Sequence, residues 1–146
     1  MAHSNATLIT YFNEDGSISS SEIVTDAELT DDNVTMRELR QDVQDIANSG
    51  GLTVYVCRVV SAEDEIWDSE KVLAAIRADK FAKLYKAEEL VKMNTALAEA
   101  GMDSATRERG ARQLEKNKKA LRKGIDALSQ DELKLYGDYR QRMLGY

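Results

Sequence analysis

Leu52 to Val60 reads LTVYVCRVV, a long run of β-branched and aromatic residues and the best strand candidate in the chain. Such side chains fit a pleated surface better than a helix. Alternation places Leu52, Val54, Val56 and Arg58 on one face, and Thr53, Tyr55, Cys57 and Val59 on the other. Both faces are largely apolar, so the run is expected as the central strand of a small sheet. Partners for it lie upstream. Thr7 to Phe12 (TLITYF) is rich in β-formers, and Asn13-Glu14-Asp15-Gly16 follows as a turn. Ser17 to Val24 (SISSSEIV) reads as the returning strand of a hairpin, with Ile18 and Val24 facing inward. Its serines suit an edge strand or an extended arm.

Thr25 to Asn33 (TDAELTDDN) reads as acidic and turn-like. A helix start comes next. Thr35 and Glu38 have capping-box spacing, with Asn33 as an alternative cap. Met36, Leu39, Val43 and Ile46 recur at three- and four-residue steps, and Asn48-Ser49-Gly50-Gly51 ends the helix.

Downstream of the strand, Ser61 to Ser69 (SAEDEIWDS) is an acidic connector carrying Ile66 and the lone Trp67. Lys71 to Ala100 has neither proline nor glycine and reads as one long helix, or two broken near Ala78-Asp79. Its expected inward residues are Val72, Leu73, Ile76, Phe81, Leu84, Leu90, Val91 and Leu97, with Gly101 as the stop. Ser104 is the expected cap of a helix over Ala105–Leu128. There Leu114, Leu121 and Leu128 form a heptad-like seam, supported by Ala111 and Ile125. An antiparallel hairpin with the preceding helix accounts for this seam. Ser129 and Glu132 repeat the capping-box spacing and start a final helix from Gln130 to Leu144. On it, Leu133, Tyr136, Arg140 and Met143 share one face, and Leu135, Tyr139 and Arg142 another.

The expected class is α+β and mostly helical. A small N-terminal sheet with one helix is followed by an antiparallel helical hairpin and a final helix. Residues 1–68 would form an acidic head and 69–146 a helical region, packed together as one structural unit.

Charge follows the same division. Residues 1–70 hold fifteen Asp/Glu, three Arg and no Lys, whereas 71–146 hold eleven Asp/Glu and seventeen Lys/Arg. The overall charge of −6 thus conceals a polarised chain. Proline is absent, which suits long helices. A single cysteine, Cys57, permits no intrachain disulfide. No run approaches the roughly 18 apolar residues of a membrane span, and Met1 to Ala6 lacks the pattern of a signal peptide. The expected location is the cytoplasm, or a virion assembled there, with no membrane partner.

Residues able to do chemistry are few. The only histidine, His3, lies near the terminus and reads as a surface residue. Cys57 sits mid-strand and reads as a buried thiol, not a nucleophile. Asp31-Asp32, Glu63-Asp64-Glu65 and Asp68 match neither an EF-hand nor a phosphoryl-transfer pattern, and Gly50-Gly51 is not a phosphate-binding fingerprint. The chain is therefore expected not to be an enzyme, with no cofactor, no metal and no small-molecule substrate.

Binding surfaces are the more informative reading. Arg107, Arg109, Arg112, Lys116, Lys118, Lys119, Arg122 and Lys123 crowd one helix, interrupted by Glu108 and Glu115. Arg112, Lys116, Lys119 and Lys123 form a continuous stripe, able to meet phosphates or an acidic protein surface. Tyr136 and Tyr139 either face a partner or pack on the hairpin. Glu63, Asp64 and Glu65 are the acidic counterpart. Together these imply a structural or adaptor protein making protein contacts, by self-association or with another chain, in an assembly such as a viral particle. The alternatives are nucleic-acid binding through the basic helix 107–123, and acidic inhibition of a host or cellular enzyme.

Overall fold

The computed structural model describes residues 3–100 and 104–145. In chain order the elements are β1 (His3–Phe12), β2 (Ile18–Thr25), α1 (Asp26–Asp31), α2 (Met36–Gly50), β3 (Thr53–Ala62), α3 (Ser69–Glu99), α4 (Ser104–Asp126) and α5 (Gln130–Met143). The fold is α+β, a small N-terminal sheet with adjoining helices followed by packed C-terminal helices. Two compact units divide at Asp79 and Lys80, inside α3 and not at its start. The reason is that the first turns of α3 belong to the core of the sheet.

In the first unit the strands are ordered β2-β1-β3, antiparallel throughout. The central strand is therefore β1, and β3, expected at the centre, is an edge. Side chains explain the exchange. From Ala6 to Tyr11 every β1 residue is buried and none is charged, whereas β3 carries exposed Thr53, Arg58 and Val60. An arginine on a sheet face needs water or a counter-charge, and an edge supplies both.

The two-faced reading of LTVYVCRVV holds. Leu8, Cys57, Val72 and Ile76 form one core, joined by Tyr55, Val59, Ile18, Ile23 and Trp67. Ile9, Tyr11, Val43 and Ala47 form the other, joined by Leu39, Leu52, Val54 and Val56. The start of α3 thus covers one face of the sheet and α2 the other. Burying a side chain such as Leu8, 0% exposed, contributes about 2 kcal/mol as an upper estimate.

Helix termini follow local chemistry. Thr25 to Asn33 contains α1 instead of a plain turn. Thr25 accepts from the Glu28 N–H, and the Glu28 side chain caps Thr25 in return. That spacing is present in the sequence but lies within an acid-dense stretch. The start of α2 is as expected, Thr35 accepting from the Glu38 N–H at 3.2 Å. It closes at Gly51, whose φ of 67° suits glycine. Its buried stripe runs Leu39, Val43, Ala47, and Ile46 is 56% exposed.

α3 is one continuous helix. Its buried residues are Val72 and Ile76 in the first unit, then Phe81 and Leu84 in the second. The five-residue step from Ile76 to Phe81 departs from the helical period and spans Ala78-Asp79, where a break was the alternative. Leu73, Leu90 and Leu97, expected inward, are exposed. Gly101 lies outside the described residues, as does the Ser104 side chain read as a cap.

In the second unit Phe81, Leu84, Leu128 and Tyr136 form the core, with Leu121, Ile125 and Tyr139 against it. Phe81 lies 5.3 Å from Tyr136 and 5.7 Å from Tyr139, centroid to centroid. α4 passes α3 closely at Gly124, where an added Cβ would lie 2.6 Å from Leu84 Cδ2. Ser129 and Glu132 cap α5 reciprocally, as their spacing implied.

Two contrasts test this packing by urea unfolding. Thr10 Oγ1 is buried without a hydrogen-bond partner among the described residues, whereas Thr7 Oγ1 accepts from Arg58 at 2.8 Å. Thr10→Val is expected to raise stability by about 1 kcal/mol and Thr7→Val to lower it by about as much. Gly110 and Gly137 sit mid-helix with open space beside them. Alanine at either is expected to stabilise by about 0.5–1 kcal/mol. Gly124→Ala is expected to lose that gain, because buried Leu84 must move.

Candidate functional site

The basic helix is the most charged element of the second unit. Arg112, Lys116, Lys119 and Lys123 follow one another at steps that align on a helix, and all four are exposed. None of them joins an ion pair among the described residues. Arg109, Lys118 and Arg122 are exposed on the same helix. Dividing the sequence at the unit boundary preserves the polarity. Residues 1–79 hold sixteen Asp/Glu and five Lys/Arg, a charge of −11, whereas 80–146 hold ten and fifteen, a charge of +5.

The two tyrosines turn inward to different degrees. Tyr136 is 4% exposed and packs on Phe81, so its ring is part of the core and does not face a partner. Its neighbour Tyr139 is half-buried, against Phe81 and Tyr85. The Tyr136 hydroxyl has no hydrogen-bond partner of normal geometry among the described residues. Burial first, and the nearby Glu88 charge second, push its pKa above the usual phenol value. Glu88 itself pairs with Arg140 at 2.9 Å, locking α5 to α3.

The acidic run Glu63-Asp64-Glu65 is divided in its roles. Glu63 and Asp64 are exposed. Glu65 turns back, its Oε2 accepting from the Ala62 N–H at 2.8 Å while Oε1 pairs with Lys71. The Lys71 ammonium also sits 4.6 Å from the Trp67 ring centroid. Glu65 therefore terminates β3, and neutralising it would disturb the strand end as well as the surface charge.

One charged site escaped the sequence reading. Arg58 grips Asp26 through two bonds of 2.7 Å and reaches Thr7 at 2.8 Å. Beside them lies a cleft of about 260 Å³, lined also by Leu29, Thr30, Val34 and Met36. The signal was an arginine on an otherwise apolar strand face, which calls for an acid on a neighbouring element. A second cross-element contact joins the Tyr55 hydroxyl to Asp79 at 2.6 Å. Burial, then this bond, raise the Tyr55 pKa above the phenol range. His3 is an exposed residue of β1 and Cys57 is buried.

Among the described residues, no group of three or more His, Cys, Asp or Glu is placed to hold a metal ion. No described helix is long and apolar enough to cross a membrane. Comparison of the chain with protein-family models, with curated proteins and with solved structures gives no match.

The Arg58–Asp26 pair gives a pH test. Hydrogen bonding from Arg58 holds the Asp26 carboxyl below its ordinary range. A depressed folded-state pKa stabilises above the unfolded value and ceases to do so as pH falls through the folded value. The stability gap between the natural chain and Asp26→Asn is therefore expected to be open at pH about 7 and to close toward pH about 2. Urea midpoints across that range measure it, and a gap that persists in acid counts against the pairing.

Proposed function

We propose that this protein is a non-enzymatic structural or adaptor protein that assembles through complementary charge, with α4 as its cationic contact surface. The supporting observation is the division of charge between two compact units, −11 against +5, with the stripe Arg112, Lys116, Lys119 and Lys123 exposed and unpaired among the described residues. The acidic unit of a second copy is the complementary surface that the chain itself supplies. Contacts of that kind are heterologous, so they build chains or rings. Opposite fields speed encounter and orient the partners.

Exposed apolar side chains on the helical unit add area that such contacts can bury. Leu90, Met93 and Leu97 lie along α3, and Met143 lies on α5. An interface needs this kind of area as well as charge.

Light scattering at about 0.05 M and about 0.5 M salt tests the proposal, because screening shortens from roughly 14 Å to roughly 4 Å between them. Mass above the monomer is expected at low salt, falling toward the monomer at high salt. Replacing Arg112, Lys116, Lys119 and Lys123 with glutamate is expected to abolish the low-salt assembly. A strict monomer in both salts, at high protein concentration, overturns self-assembly. Binding of duplex or single-stranded nucleic acid that the same substitution removes would assign the stripe to phosphates instead.

A further inference from the structure

The strand that the sequence placed at the centre of the sheet lies at its edge, and this leaves a row of backbone groups without a strand partner. β3 pairs with β1 from Thr53 against Phe12 to Ala62 against His3, and among the described residues no strand lies on its other side. We propose that this outer edge of β3 is a docking strand for an extended, lysine- or arginine-rich segment of another protein. The inference concerns the first unit alone and does not rest on the assembly proposed for α4.

Edge strands are usually blunted, because an open ladder recruits other strands. β2, the opposite edge, is blunted in several ways. Its pairing with β1 shifts register between Tyr11 and Phe12, and Ser19, Ser20, Ser21 and Glu22 are all exposed along it. β3 lacks the register shift, and its one charged side chain, Arg58, is held by Asp26. At ten residues it exceeds a typical strand of about 5–6. It contains no proline and no lysine, and its register against β1 is unbroken. Val60 is 59% exposed, an apolar contact for an incoming side chain. The far end is closed, since Glu65 holds the Ala62 N–H and is itself held by Lys71. An added strand would therefore run along β3 and stop there.

Charge selects the occupant. Two copies of a unit carrying −11 repel, which opposes edge-to-edge pairing of this chain with itself. The strands of the chain carry one arginine and no lysine, so no described strand supplies a basic partner. The one cation on β3, Arg58, is held by Asp26. Glu63 and Asp64 are exposed beyond its end and would meet basic side chains of the guest. Backbone pairing would supply the fit and the acidic surroundings the choice of sequence, as in strand addition generally.

The probe is a synthetic peptide of about eight alternating lysine and valine residues, added to the full chain and followed by amide NMR shifts. Shifts confined to β3 and its end, weakening with salt, are expected. A peptide of alternating lysine and glycine has the same charge but poor strand propensity, and is expected to bind at least about tenfold more weakly. Val60→Lys sits at an exposed position and is expected to weaken the lysine–valine peptide by a similar factor, whereas Val60→Thr is expected to change it little. Equal binding of both peptides would mean bulk charge attraction and overturns the proposal. So do shifts centred on β2, or full affinity for the Val60→Lys chain.

Discussion

A strand buried on both faces must be covered on both faces, and in this protein that constraint falls on β1. Leu8 points into one core and Ile9 and Tyr11 into the other, each close to fully buried. A sheet of only three strands cannot curl round to shield itself, so helices must supply both layers. α2 is local and covers one face. The other is covered by the first turns of α3, whose Val72 and Ile76 complete the cluster around Leu8 and Cys57. The chain must therefore begin its long helix inside the sheet's core, and the boundary between units falls within α3.

Polar groups inside this arrangement are tied across elements. Arg58 joins β3 to Asp26 at the start of α1 and to Thr7 of β1, and Tyr55 joins β3 to Asp79 of α3. These bonds fix the edge strand to the layers around it. The Arg58–Asp26 pair adds only modestly to stability, because both partners are half exposed. Thr10 is the exception, a hydroxyl in the central strand with no partner among the described residues.

The helical unit is organised differently. Its core is small and aromatic, built on Phe81, Leu84, Leu128 and Tyr136. Leu90, Met93 and Leu97 continue along α3 as exposed apolar side chains. α4 carries a cationic stripe that joins no ion pair among the described residues, whereas the sheet unit carries the acidic charge.

Most local signals are legible in the sequence, although the Thr25–Glu28 box that starts α1 reads there as part of a turn. The N-cap at Thr35, the capping box at Ser129, the glycine stop at Gly51, the hairpin after Phe12 and the two apolar faces of LTVYVCRVV all follow from side chains within a few residues of one another. The charge division and the basic stripe are likewise properties of the sequence. What only the tertiary structure decided is which strand lies at the centre, which residue of an apolar stripe is buried, and which acid answers Arg58. Period-two alternation looks alike in a central strand and in an edge strand flanked by helices, and Arg58 alone marked β3 as the more exposed of the two. Tyr136 and Tyr139 are alike in sequence and both lie against Phe81 of another helix, yet Tyr136 is buried and Tyr139 only half-buried. Each of these outcomes depends on partners distant along the chain, and their positions are set only when the elements pack.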